Sequence, residues 1–75
     1  MKSKLIAKVR SVSELSMLAR SDDRYARLAI VSANNLGGDA KSVDDAIRWL
    51  YTNASEVSEE GVIDEVNFCR DLVGA

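Results

Sequence analysis

The stretch DRYARLAIVSANNL, residues 23–36, limits the fold more than any other part of the chain. On a helix, at about 100° per residue, Tyr25, Leu28, Ala29, Ile30, Val31, Ala33 and Leu36 cover most of the girth. Only Arg24, Arg27 and Asn34 are left for water. A helix that is apolar nearly all round needs cover on several sides, so it belongs at the centre of a bundle. Its alanines allow neighbours to approach closely. The whole chain has 75 residues, which points to one small domain over 1–75. A chain of this length buries roughly 60% of its unfolded surface, which leaves its stability marginal.

The covering helices can be read from their starts. Residues 11–14, SVSE, have the form of a capping box, in which serine accepts a first-turn amide and glutamate reaches back. Residues 42–45, SVDD, follow the same logic with a shorter acid. Ser21, Asp22 and Asp23 can cap and charge a third start. Gly37 and Gly38 offer a left-handed stop after Leu36. Ser58, followed by Glu59 and Glu60, opens the last segment. These signals predict helices over 12–20, 23–36, 43–54 and 59–73, with ends free by a few residues. Short connections favour antiparallel neighbours. The fold class is therefore all-α, a compact three- to four-helix bundle.

The N-terminal segment 2–10, KSKLIAKVR, is ambiguous between helix and short strand. Leu5, Val9 and Val12 sit at helical spacing, which favours helix. A strand here would need an edge supplied by another chain.

Residues 15–35, LSMLARSDDRYARLAIVSANN, resemble one helix–turn–helix unit of the HEAT-like and variant leucine-rich repeat families. The Asp-rich turn and the Arg-Leu-Ala stretch after it carry the likeness. A stacked array needs about three units, and the sequence holds no second copy, so the resemblance implies only a local pair of helices.

Residues 43–54 place Val43, Ile47, Leu50, Tyr51 and Ala54 on one face. Trp49, the only tryptophan, lies about 160° from Ile47 by the same arithmetic. In the last helix, Val62, Val66, Cys69 and Val73 form one stripe, with Phe68 to one side and Leu72 near it. Trp49 can cover a second packing layer, against the N-terminal segment, or it can anchor a protein contact together with Arg48 and Phe68. Tryptophan, tyrosine and arginine dominate such contacts. A homodimer through the same patch is one form of this reading.

Charge is unevenly distributed. Residues 1–41 hold eight Lys/Arg against four Asp/Glu, and residues 42–75 hold two against eight. Attraction between the two halves of the fold accounts for this most simply. Two functional readings use it. Glu56, Glu59, Glu60, Asp64, Glu65 and Asp71 can form an acidic face that competes for a basic groove, as small phage-encoded anti-restriction and anti-CRISPR inhibitors do. Alternatively, Lys4, Lys8, Arg10, Arg20, Arg24 and Arg27 can form a basic strip for nucleic-acid phosphates. The helix after the Ser-Asp-Asp turn is too apolar to read bases in a groove.

Covalent chemistry has little to work with. The chain has no histidine, which removes the commonest general base and the usual zinc ligand sets. Cys69 is the only cysteine and falls on an apolar stripe, as buried structural cysteines do. The glycines near Lys41 and Ser42 lack phosphate-loop spacing. The paired acids lack the alternation of a calcium loop. No secretory signal or membrane-length apolar run is visible, and a single cysteine suits a reducing compartment. The expectation is a cytoplasmic, non-enzymatic interaction module with no cofactor and no metal. It would regulate or inhibit a larger complex by binding a protein partner; nucleic-acid binding is the alternative.

Overall fold

The computed structural model describes the backbone of residues 6–74 and side chains through Leu72. Lys2, Lys4 and Leu5 therefore lie outside the described residues, as does the side chain of Val73. The fold is all-α. Helices α1 (Val12–Ser21), α2 (Asp23–Asn35) and α3 (Val43–Asn53) are followed by a π-helical turn, Ala54–Ser58, and by α4 (Glu59–Gly74).

The starts form where the sequence places them. Ser11 Oγ accepts from the Glu14 amide at 3.0 Å, and Ser42 Oγ accepts from the Asp45 amide at 3.1 Å. Asp22 does two tasks in a single-residue connection. Its amide donates to Leu18 O at 2.9 Å, closing α1, and its carboxylate accepts from the Arg24 amide at 2.9 Å, opening α2. Gly37, at φ 107°, ends α2. Its amide donates to Asn34 O and that of Gly38 to Ala33 O, the double bond pattern of a Schellman stop.

Helix α2 is central and packs against α1, α3 and α4. Leu28, Ala29, Ala33 and Ser32 are fully buried along it, facing Leu15, Leu50, Val66 and Cys69 in one core. The small residues allow the close approach expected of them.

Two expectations need correcting. Residues 6–10 are neither helix nor strand. They form an irregular strap whose main chain is paired by side chains from elsewhere in the same chain. Asn67 Oδ1 accepts from the Val9 amide and Asn67 Nδ2 donates to Val9 O, both at 3.0 Å. Arg70 donates to Ile6 O at 2.6 Å, and the Tyr25 hydroxyl donates to Ala7 O at 3.1 Å. Glu14 Oε1 accepts from the Arg10 amide at 2.7 Å. Ile6, Val9 and Val12 are buried, so these apolar residues pin an irregular segment rather than form the face of a helix. Buried backbone groups need partners; here side chains provide them, and no second chain is required.

The second correction concerns the break expected between the last two helices. The path stays helical from Val43 to Gly74 through the π-turn, so the bundle has three helical runs. Ser58 still acts as a start signal, its Oγ accepting from the Gly61 amide at 3.0 Å. With neither proline nor glycine in 54–58, nothing local forces the helix to end.

Candidate protein-interaction surface

Helix α3 turns Ala46, Ile47 and Leu50 into the core. Tyr51, expected on that inward face, lies at its edge and is 43% exposed. Its hydroxyl donates to Ser13 Oγ at 3.0 Å, which ties α3 to α1 and orients the ring.

Trp49 is half-buried. Its support is the α2–α3 connection. A Cβ added at Gly38 would stand 2.9 Å from Trp49 Cε2 and 2.9 Å from Ala33 O. The indole therefore rests on a position where only glycine fits. The loop beneath it is held by Asn34, whose Oδ1 accepts from the Ala40 amide at 2.7 Å and whose Nδ2 donates to Ala40 O at 3.1 Å. This repeats the Asn67–Val9 arrangement: a carboxamide on a helix grips both polar groups of one residue in a non-helical segment.

Beside Trp49 lies a hollow of about 510 Å³ lined by residues 37–40, Asp45, Arg48, Trp49 and Thr52. A second, of about 490 Å³, is lined by Arg20, Asp44, Ile47, Arg48, Tyr51 and Thr52. A third, of about 330 Å³, takes in Tyr51, Thr52, Ser55 and Glu56 and reaches the π-turn. Shared lining residues join the three into one irregular surface along α3. Arg48 is largely exposed, its guanidinium 3.9 Å from the exposed Asp45 carboxylate. A pair this exposed and this long costs little to break.

Phe68, expected beside Trp49, is 59% exposed on α4 and lines none of these hollows. The acids are dispersed as well. Glu56 belongs to the α3 surface. Glu59 Oε2 accepts from the Val12 amide at 3.1 Å, helping to start α1. Glu60 and Asp64 border a hollow with Arg10 and Ile63. Glu65 is half-buried, and its Oε2 accepts from Cys69 Sγ at 3.4 Å.

The basic residues are likewise spread. Lys8 and Arg27 are exposed, Arg10 faces acids of α4, and Arg20 borders Tyr51. Arg24 is held by Asp22 through Nε at 3.2 Å and an Nη at 2.8 Å. Hydrogen bonds from the Arg24 side chain and amide hold the Asp22 carboxyl below its ordinary value, and the same contact raises Arg24. Lys4 lies outside the described residues.

Cys69 is buried. Burial pushes its thiol pKa up, and Glu65 adds to the rise against a hydrogen bond from Asn35. That disfavours the nucleophilic thiolate. Among the described residues no group of His, Cys, Asp or Glu is placed to hold a metal ion, and no helix is long and apolar enough to cross a membrane.

Reading the sequence alone missed Arg20, Thr52 and the 37–40 loop as parts of the surface. The Gly-Gly pair after an apolar helix was the available signal for the loop. Nothing local pairs Arg20 with Tyr51. Comparison with protein-family models, curated proteins and solved structures finds no match for this chain.

Proposed function

We propose that the protein is a small helical module that regulates a larger protein by binding it, and that α3 carries the contact. The observation that supports this is the clustering of Arg48, Trp49 and Tyr51 at the surface, the two aromatic rings each held by a different part of the scaffold. Gly38 supports the indole, Ser13 fixes the phenol, and Arg48 is free to reach outward. These residue types dominate protein contacts because each combines a large apolar area with a polar tip. Pre-set side chains also lose less entropy on binding. The partner is covered rather than chemically altered: the functional groups along α3 are those of recognition.

The test is affinity capture from the native host with the wild-type chain, Arg48→Glu and Thr52→Arg. Both positions are exposed, so thermal unfolding should stay unchanged. The expected result is a protein retained by the wild type and weakened roughly 30-fold or more by each variant, the size of a central contact residue. Equal retention by all three chains would remove α3 from the interface.

A further inference from the structure

A second surface lies on α4. Phe68 and Leu72 are each 59% exposed, in a chain that otherwise buries most of its large aliphatic residues. They are four positions apart, so their side chains adjoin. At about 100° per residue, Gly61, Asp64 and Leu72 all lie within about 40° of Phe68. The inward residues Val62, Val66 and Cys69 point away from it. Glu60, Asp64, Phe68 and Leu72 make one continuous four-residue-spaced ridge, the feature that packs into the groove of another helix.

Among the described residues the exposed charge on this face is mainly acidic, with Arg10 sharing a hollow with Glu60 and Asp64. Glu60, Asp64 and Asp71 are exposed around the apolar pair. The only cation of α4 is Arg70, whose side chain is 13% exposed, donates to Ile6 O, and meets Asp71 at 3.2 Å. Among the described residues, Glu60 and Asp64 form no ion pair. A second copy laid parallel on this ridge would oppose acid to acid, and like charges across an interface are costly. Laid antiparallel, it would set Glu60 and Asp64 against Leu72 and Phe68, and a carboxylate buried without a partner is costly as well. An anionic membrane surface would be repelled by the same acids.

We propose that this ridge docks a basic amphipathic helix of a partner protein. Apolar side chains four residues apart on that helix would cover Phe68 and Leu72, and flanking Lys or Arg would meet Glu60, Asp64 and Asp71. This surface is independent of the α3 contact.

The experiment titrates the full chain with a synthetic helical peptide of Leu and Lys, its leucines on one face. A permuted peptide of the same composition without that face, and a Leu/Glu counterpart, serve as comparisons. Only the amphipathic basic peptide should bind, with affinity falling as salt rises. Phe68→Ser and Asp64→Lys should each weaken it about tenfold or more, whereas Met17→Ser, at an exposed apolar position on α1, should not. Circular dichroism checks that each variant is folded. Equal binding of the permuted peptide or the acidic one, or full binding by Phe68→Ser or Asp64→Lys, would overturn the proposal. So would a dimer of the chain alone, seen by sedimentation and lost in Phe68→Ser, which would assign the ridge to a second copy.

Discussion

Replacing Asn67 with alanine is expected to destabilise the protein by about 2–4 kcal/mol, the cost of leaving a buried donor and a buried acceptor without partners. Both polar groups of Val9 depend on that carboxamide, and Val9 is 2% exposed, so water cannot replace it cheaply. A chain of 75 residues has a total stability of roughly 4–11 kcal/mol at 0.05–0.15 kcal/mol per residue. The loss is therefore a large share, and calorimetry should show the melting temperature falling by about 10 °C or more. Asn67→Asp separates the hydrogen bonds from the packing. The ionised carboxyl still accepts from the Val9 amide but faces Val9 O with no proton to donate. Protonated, it restores both bonds, and burial favours the neutral form as well, so its folded pKa lies above its unfolded one. The rescue is then complete below the unfolded pKa and fades as pH rises through the folded pKa. Stability of this variant should recover on acidification relative to Asn67→Ala; parallel pH profiles would show that the two bonds contribute little.

Truncating Leu28 to alanine is expected to be at least as damaging, in the upper half of the roughly 2–5 kcal/mol range for a buried leucine. Leu28 is fully buried on the helix that packs most extensively against the others. Its neighbours along α2 include Ala29, Ser32 and Ala33, which are too short to close the void. Denaturant unfolding should show a lower midpoint with an unchanged slope, since the surface exposed on unfolding barely alters. A loss below about 1 kcal/mol would mean that α2 is not the packed centre of the molecule.

These two residues mark what the sequence reveals and what it does not. The central place of α2 is legible because an apolar girth is a property of thirteen adjacent residues. Helix starts are legible because Ser11, Asp22 and Ser42 act on amides two or three positions away. The strap is not legible. Its partners Asn67 and Arg70 lie 58 and 64 positions along the chain, and the apolar spacing of Leu5, Val9 and Val12 does not separate a helix from a pinned irregular segment. The off-phase position of Trp49 is legible from helical arithmetic, but its support on Gly38 depends on how the α2–α3 connection folds back. Trp49 and Phe68 both depart from their inward stripes, but arithmetic within each helix says nothing about the distance between helices. The π-turn compounds this, because a wider turn shifts the phase of α4 relative to α3.

The central claim is that the protein works by contact through the outer face of α3. Amide chemical-shift mapping of the isotopically labelled chain, with and without the captured partner, tests it most directly. The expected result is a set of large shifts confined to Arg20, residues 37–40 and residues 44–56, with Lys8, Arg24 and Arg27 unmoved. Shifts concentrated on those three cations, with Arg48, Trp49 and Tyr51 undisturbed, would contradict it.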